Sequence, residues 1–306
     1  MAVTAAMVKE LRDLSGAGMS ACKNALTEAG GDIKRAVEIL REKGLAAAAK
    51  KAGRVAAEGL VQVALSDDRK KGAIVEVNSE TDFVAKNEDF VLFVKQVAEQ
   101  VLASNCTDVD ALLNEQWLGD TSMTVKDVLT GKIATIGENI GIRRFIRYEA
   151  ENGAVVEYIH GGGRIGVMLE ISANTVDDNI IEAGKNICMQ IAAMNPQFIT
   201  KDEVSQEYLA KEREILTQMA LNEGKPAKIA EKMVEGRLAK SLKEVCLIDQ
   251  DYVKDDGLTV GGYIDTVSKQ TSQTVSIKRF ARFEKGEGIE KKEENFAEEV
   301  SKAMNV

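Results

Sequence analysis

Apolar side chains recur at helical spacing in the first 44 residues and predict three short helices. Glycine-containing breaks at 16–18 and 30–31 separate these helices. We expect Ser20 and Asp32 to be the N-caps of the second and third helices, and Gly44 to lie just past the end of the third. Because the residues that follow are rich in alanine, the pattern predicts a small helical bundle joined to the body by a helical connector.

The body contains an internal repeat. Each copy begins with two β-rich segments joined by a polar, glycine-containing turn, which predicts a hairpin, and continues with a helix. These segments lie at 59–65, 72–78 and about 88–102, and again at 153–159, 166–172 and about 179–193. The two hairpins are offset by 94 residues, whereas a later strand, at 142–149 and 277–284, is offset by 135. The difference of 41 predicts an insertion between the helix and the last strand of the second copy.

We expect this insertion at 202–246, which is polar and helix-rich. Two apolar stripes flank the segment 222–226, which carries the stop and start signals of two helices. The pattern predicts an antiparallel helical hairpin. Because it is inserted into a compact subdomain, it should project outward, either as a contact arm or dimerisation element or as a stabilising decoration.

Together these patterns predict an α+β fold, in which a three-helix bundle precedes a duplicated core of antiparallel sheet and helix with the helical hairpin inserted. The expected domains are an N-terminal three-helix domain with its connector at 1–54, a core N-subdomain at 55–149, a core C-subdomain at 150–285 with the hairpin at about 200–246, and a C-terminal helical module at 286–306.

Composition narrows the class of protein. The chain of 306 residues has 49 acidic and 40 basic side chains, and its hydrophobic content of 44% is too high for wholesale disorder. A pI near 5.0 argues against a generic nucleic-acid binder. No apolar run approaches the roughly 20 residues of a membrane span, and the N-terminus lacks a signal-peptide pattern. We therefore expect a soluble, cytoplasmic protein that binds neither nucleic acid nor membrane.

The sequence offers no recognisable catalytic arrangement. His160 is the only histidine, which excludes sites that need two, and the four cysteines form no CxxC pair. Residues 161–166 match G-x-G-x-x-G but lead into a strand, which predicts a hairpin turn and not a dinucleotide site. The chain has no P-loop and no G-x-S-x-G elbow. We expect no enzymatic activity, no cofactor and no metal site.

One strand-to-helix connection, at 78–87, differs from an ordinary surface loop. It places Phe83 beside Asp82 and offers Asp82 and Asn87 as helix caps. A purely structural alternative is that Phe83 packs on its own helix while Asp82 caps a turn. The corresponding stretch of the second copy, at 173–178, has no aromatic residue. This asymmetry indicates that the first connection is specialised.

At this connection the sequence resembles the bacterial elongation factor Ts family, and the resemblance covers essentially the whole chain. Residues 81–87, Thr-Asp-Phe-Val-Ala-Lys-Asn, match the signature of that family. Other matching segments lie at 8–12, 27–33, 136–140, 160–161, 164–167, 229–237 and 286–291. The resemblance implies that the N-terminal bundle is UBA-like and that the helical hairpin is a coiled coil. Glu80 is a departure, since it adds negative charge beside the signature.

The resemblance implies a guanine-nucleotide exchange factor for elongation factor Tu, the GTPase that itself holds the nucleotide and the magnesium. By similarity, GTPase binding and dislocation of the partner's magnesium fall to the signature residues Thr81, Asp82, Phe83 and Val84. His160 would contact the GTPase away from the nucleotide. A last helix, at about 295–304, would dock on the nucleotide domain of the GTPase.

Other functions remain open. A non-exchanging binding scaffold or chaperone for a translation GTPase would use the same flat surfaces and the helical hairpin, and two copies of the chain would form a homodimer through that hairpin. An RNA-binding protein would use basic side chains of the connector and of the repeated strand, namely Lys50, Lys51, Arg54, Arg143 and Arg144.

Overall fold

The computed structural model describes residues 2–224 and 227–290. These residues form helices and antiparallel sheets, which confirms the mixed α+β class. The helices are α1 Ala5–Ser15, α2 Met19–Glu28, α3 Ile33–Lys51, α4 Asp82–Ala85, α5 Glu88–Ala103, α6 Val109–Asn114, α7 Val125–Ile136, α8 Asp178–Met194, α9 Gln206–Asn222, α10 Ala227–Val245 and α11 Val260–Thr271. The strands are β1 Glu58–Leu65, β2 Lys71–Ser79, β3 Gln116–Trp117, β4 Asp120–Thr124, β5 Gly141–Glu149, β6 Ala154–His160, β7 Ile165–Ser172, β8 Asp251–Tyr252, β9 Asp255–Thr259 and β10 Ser276–Glu284.

The first three helices pack around a small apolar core of their own. Asp32 caps α3, as predicted, by accepting hydrogen bonds from two backbone N–H groups of its first turn. The prediction that Ser20 caps α2 is wrong, because α2 begins at Met19 and Ser20 lies inside its first turn. Gly18 is the N-cap, so α2 begins without a side-chain capping hydrogen bond.

The third helix does not end at Gly44, as the sequence suggested. It continues to Lys51, so one helix is both the last member of the bundle and the connector. Glycine weakens a free helix by about 1 kcal/mol relative to alanine, but here it faces α7. A Cβ at Gly44 would lie 3.5 Å from the Cβ of Ala134 and 3.7 Å from Cγ2 of Thr130. These are ordinary van der Waals distances, so Gly44 is a buried helix residue packed against α7 and not a helix stop.

Each copy of the repeat contains a three-stranded antiparallel sheet, ordered β1–β2–β5 in the first copy and β6–β7–β10 in the second. The hairpin registers are equivalent, since Leu60 pairs with Val77 and, 94 residues further on, Ala154 pairs with Ile171. The third strands share a bulge as well, because the register of β5 against β2 and of β10 against β7 shifts at equivalent positions. The structure therefore contains the repeat that the sequence predicted.

The repeat is larger than the sequence indicated. A small hairpin and a helix, β3–β4 with α7, precede β5, and β8–β9 with α11 precede β10 at the same offset of 135. A buried glutamine holds each small hairpin: Gln100 bonds to the backbone of Gln116 and Leu118, at 3.1 and 2.8 Å. Gln190 makes the equivalent bonds, at 3.1 and 2.8 Å, in the second copy. Strands of two residues are too short to show an alternating pattern, so sequence reasoning missed them.

The two sheets share one apolar cluster, which includes Val61 of the first sheet and Val155 of the second. Equivalent glycines allow the close approach. A Cβ on Gly72 would lie 2.6 Å from Cγ1 of Val155, and a Cβ on Gly166 would lie 2.5 Å from Cγ1 of Val61. The contacts between the copies are thus reciprocal, as in a two-fold symmetric dimer.

Stacked arginines repeat this reciprocity at the edge of the cluster. The guanidinium of Arg144 lies 4.2 Å from the ring centre of Phe283, and that of Arg279 lies 4.2 Å from the ring centre of Tyr148. Each arginine also pairs at 2.6 Å with a buried glutamate of its own sheet, Glu76 or Glu170. The cation–π contacts therefore join the two halves in both directions, while each ion pair holds its arginine within its own sheet.

Helices α9 and α10 form the insertion. Ser241 of α10 donates to Glu212 of α9 at 2.9 Å, and Arg237 of α10 pairs with Glu223 beyond the end of α9 at 2.9 Å, so the two helices run antiparallel. Their contact is a small separate core made of Leu216, Ala220, Val234 and Leu238. The description of this hairpin as a coiled coil, and of the bundle as UBA-like, stays a prediction.

The domain boundaries expected at residues 54, 149 and 285 also stay predictions. The expected last helix at about 295–304 lies outside the described residues. In the part of the chain that the structure does describe, no helix is both long enough and apolar enough to cross a membrane.

Candidate functional site

The connection between β2 and α5 is longer than its counterpart in the second copy. The strands of the two copies are offset by 94 residues, but the helix N-caps Asn87 and Asp177 are offset by 90. The first connection therefore has four additional residues, which is the length of the short helix α4. The asymmetry between the copies is thus an added structural element and not only a different sequence.

Thr81 begins this short helix. Its hydroxyl accepts a hydrogen bond from the N–H of Val84 at 3.4 Å, and its backbone is extended, as at an N-cap. The prediction that Asp82 is a cap is wrong, because Asp82 lies inside α4 and its carboxylate instead bonds Nζ of Lys86 at 2.7 Å. The prediction that Asn87 is a cap is confirmed, because its side chain accepts hydrogen bonds from two backbone N–H groups in the first turn of α5.

The four residues of α4 divide between an inward and an outward face. Ala85 is buried, and Val84 is half-buried against the apolar cluster beneath α5. Phe83 is 80% exposed. The alternative in which Phe83 packs on its own helix is therefore wrong, and the aromatic ring is free to contact another molecule.

Asp82 lies beside this ring with its side chain 49% exposed. The hydrogen bond from Lys86 is the main reason that the pKa of Asp82 is lowered below its ordinary value. The side chain is therefore ionised at neutral pH. The exposed face of α4 consequently presents an aromatic ring and a carboxylate next to each other.

A pair of carboxylates braces the start of α4. Glu138, which follows α7, accepts hydrogen bonds from the N–H groups of Glu80 and Thr81, both at 3.0 Å, and from the Thr81 hydroxyl at 2.6 Å. In return, Glu80 accepts from the N–H of Asn139 at 2.5 Å and pairs with Arg54 at 3.5 Å. Glu80 is thus a bracing residue instead of a free charge beside the signature.

Glu138 lies in the matching segment 136–140, but its sequence context assigned it no role. A signal was present, because a glycine directly after a helix often marks an abrupt reversal of the chain. Gly137 does end α7 in the left-handed region, with φ of 87°. The partner of Glu138, which follows this glycine, is Thr81. It lies 57 residues earlier, so no local pattern in the sequence indicates the contact.

His160 lies at the end of β6, in the second sheet, before the turn of residues 161–163. Its Nδ1 is 3.0 Å from the hydroxyl of Tyr158. The short helix α4, by contrast, packs on β1, β2 and α5 of the first copy. The structure brings Asp82, Phe83 and Val84 together on α4, with Thr81 as its N-cap. It leaves His160 on another element. The glycine-rich segment is a hairpin turn, as predicted.

The basic residues considered for RNA binding are partly engaged within the protein. Arg143 and Arg144 both pair with the buried Glu76, at 2.9 and 2.6 Å, and Arg54 pairs with Glu80 at 3.5 Å. These side chains are less available to a polyanion than their sequence suggested.

The described residues contain no group of three or more histidine, cysteine, aspartate or glutamate side chains arranged to hold a metal ion. A cavity of about 250 Å³ lies beside Trp117 and away from α4; it is lined by Gln96, Glu99, Trp117, Leu118 and Gly119. A braced and exposed loop, and not an enclosed cleft, is therefore the candidate site.

Comparison with known proteins places this site in a family. The family model described as Elongation factor TS matches residues 80–287. An elongation factor Ts of Clostridium botulinum (strain Alaska E43 / Type E3) is 54% identical over 302 residues, which cover 99% of each chain. Others, from Clostridium perfringens (strain SM101 / Type A) and Clostridioides difficile (strain 630), are 57% and 53% identical and cover 98% and 99% of each chain.

The fold, the exposed loop and these matches identify a translation elongation factor that acts in protein biosynthesis. The chain belongs to the elongation factor Ts family. The resemblance read from the sequence is thereby confirmed.

Proposed function

We propose that this protein is the guanine-nucleotide exchange factor of elongation factor Tu. The observation that carries the proposal is the position of Phe83, which is 80% exposed on a short helix that is anchored from below and braced at its start. A rigid, exposed aromatic residue with an ionised Asp82 beside it suits insertion into a partner. It does not suit chemistry on a small substrate, so the protein itself would not be an enzyme.

The proposed mechanism uses the two side chains for different tasks. Phe83 acts as an apolar wedge between elements of the GTPase near its nucleotide, and the charge of Asp82 disturbs the magnesium that the GTPase holds. Magnesium requires near-ideal octahedral geometry, so displacing one of its ligands strongly weakens its binding to the GTPase. Thr81 and Val84 hold the wedge and border the contact.

Exchange follows from linkage. A factor that loosens GDP by binding the empty GTPase must itself be loosened by the incoming nucleotide, because coupling between two ligands is reciprocal. Each tenfold weakening of nucleotide binding corresponds to about 1.4 kcal/mol of coupling. Further contacts would come from His160, which lies on a different sheet from α4, and from the segment 295–304.

A second candidate function is a non-exchanging scaffold or chaperone for the same GTPase. The exposed side chains of Ile215 and Met219, one turn apart on α9, favour it, because they form an apolar stripe on an inserted element. The same stripe supports a homodimer through the hairpin. Sedimentation of the protein should then show a dimer that the double variant Ile215→Glu, Met219→Glu dissociates.

Release of a fluorescent GDP analogue from purified elongation factor Tu tests the main proposal. Catalytic amounts of this protein should accelerate release, with many turnovers per molecule. Binding to the GTPase without acceleration would favour the scaffold, and absence of both binding and acceleration would contradict both functions. Binding to RNA that weakens steeply with salt would instead favour the nucleic-acid alternative.

A further inference from the structure

The second copy of the repeat contains a neutral version of the brace at α4. Gln273 lies 135 residues after Glu138, and Thr175 lies 94 residues after Thr81. Gln273 accepts a hydrogen bond from the N–H of Thr175 at 2.8 Å and donates one to its carbonyl at 2.9 Å. In both copies, therefore, the residue after the reversal at the end of the small helix binds the strand-to-helix connection.

The two versions differ in the chemistry that the connection demands. In the first copy three donors converge on Glu138, namely two backbone N–H groups and the Thr81 hydroxyl. A carboxylate accepts all three, whereas a glutamine offers one accepting oxygen; with that oxygen on the two N–H groups, its NH2 group would face the Thr81 hydroxyl, which would have to accept instead of donating. The carboxylate occurs in the copy whose connection leads into the exposed helix.

The short helix needs such support. Four residues make about one turn, which is too little to be stable in isolation because helix nucleation is costly. Its direction is set by the Thr81 cap at one end and by the packing of Val84 and Ala85 below. Any loosening at Thr81 therefore changes the direction in which Phe83 points.

We propose that Glu138 is a positioning residue for nucleotide exchange. It orients Thr81, and through it the first turn of α4, so that Phe83 is presented in one direction before the partner arrives. Such preorganisation avoids an ordering cost on binding. The inference rests on the proposed exchange function and adds to it a residue that touches neither nucleotide nor magnesium.

Exchange kinetics with elongation factor Tu test this role. Glu138→Gln should lower the maximal rate of GDP-analogue release by about tenfold, as for the loss of one charge-assisted hydrogen bond. The half-saturating concentration should change less, because the other contacts persist. Gln273→Ala removes the equivalent contact of the second copy and should leave exchange unchanged. A wild-type maximal rate in Glu138→Gln would overturn the proposal.

A double-mutant cycle distinguishes positioning from general weakening. If Glu138 acts through Phe83, then Glu138→Gln should have no further effect on exchange once Phe83 is alanine. Two independent, multiplying losses would show that Glu138 acts elsewhere and would overturn the inference. Thr81→Val is the variant to use if Glu138→Gln loses its fold; it removes the hydroxyl contact with Glu138 together with the hydroxyl cap on α4, but it leaves both backbone hydrogen bonds to Glu138.

Amide hydrogen exchange of the free protein provides a readout without the GTPase. Exchange in the segment 80–87 should quicken in Glu138→Gln and not in Gln273→Ala, because only the first variant releases that backbone. Unchanged protection would overturn the positioning role whatever the kinetics. If the wild-type protein fails to accelerate GDP release, the exchange function fails while the hydrogen-exchange result still reports on the brace.

Discussion

At the scale of single residues, the signature at 81–87 places Phe83 on the surface of the protein. Large aromatic side chains contribute most when buried, yet Phe83 is 80% exposed while Ala85 is 6% exposed. The ring of Phe83 therefore contributes little to the described fold. In the proposed function it contacts another molecule.

Replacing either outward side chain of α4 should therefore impair exchange and not folding. Phe83→Ala and Asp82→Ala should each slow GDP release by about tenfold or more, while the free energy of unfolding changes by less than about 0.5 kcal/mol. Fluorescent-nucleotide release and chemical denaturation measure the two effects. Leu118→Ala removes another exposed apolar side chain, one that is 57% exposed, and should change neither quantity. Wild-type exchange in both loop variants would remove the loop from the mechanism.

Glu76 is the opposite case, a charged side chain with no exposed surface. Burial raises its pKa, but hydrogen bonds from the N–H of Gly286, from Asn78, and from Arg143 and Arg144 outweigh burial and hold the pKa below its ordinary value of 4.5. The ionised form thus stabilises the fold. Because the folded pKa is the lower one, this stabilisation is complete above 4.5 and is lost as the pH falls through the folded pKa.

Glu76→Gln should lower the free energy of unfolding at neutral pH by about 3 kcal/mol, since it leaves two arginines without their buried partner. The variant should also lose stability less steeply than the wild type between about pH 5 and about pH 3. Urea denaturation across this range measures both effects. Parallel acid profiles would show that Glu76 is not a source of the pH dependence.

At the scale of elements, the inserted hairpin has a core separate from that of the sheets. Leu238 is 4% exposed within this small core, whereas Ile215 of the neighbouring helix is 47% exposed. Local opening of the hairpin should therefore be possible without opening the second sheet.

Leu238→Ala should destabilise the hairpin by about 2–4 kcal/mol through the cavity that it leaves. Amide hydrogen exchange should quicken in α9 and α10 and stay unchanged in β6 and β7. Leu221→Ala, at a 48% exposed position of α9, serves as the control and should alter neither region. Equal loss of protection in the hairpin and the strands would mean that both unfold as one unit.

The elements also show why some predictions from the sequence were wrong. Gly44 and Ser20 carry ordinary helix stop and start signals, but propensity is a weak preference that packing overrides. The contact of Gly44 with α7 lies about 90 residues away in the chain, near Thr130 and Ala134. By contrast, Asp32 and Asn87 were predicted correctly, because their capping partners are two or three residues away.

At the scale of the whole molecule, the two copies pack as reciprocal halves. Gly72 and Gly166 occupy equivalent positions, and each faces a valine of the other copy. A side chain at either position would push the sheets apart, so the interface depends on both glycines.

Gly166→Ala and Gly72→Ala should each lower the free energy of unfolding by about 1–3 kcal/mol through overpacking. A second substitution, Val61→Ala, identifies the contact. It should lower the free energy of unfolding less in the Gly166→Ala background than in the wild type, because the smaller side chain makes room for the new methyl group. In the Gly72→Ala background it should lower the free energy of unfolding as much as in the wild type. Chemical denaturation of the single and double variants provides the comparison. Additive costs in both backgrounds would contradict the reciprocal packing.

Local signals in the sequence predicted the two large hairpins, the helices of the bundle, the helix after each hairpin, the insertion and the family signature at 81–87. Periodicity and capping involve residues a few positions apart, so they can be read along the chain. Two-residue strands left no such signal.

The way in which the signature is presented became evident only from the three-dimensional fold. It leaves Phe83 exposed, removes Asp82 from the capping role and places Glu138 on Thr81. It also decided that the copies pack reciprocally through Gly72 and Gly166. The contact of Glu138 with Thr81 and the packing of the two copies join residues that are far apart in sequence. Such contacts are chosen by the packing of the whole chain, because no local pattern of hydrophobic and polar residues specifies them.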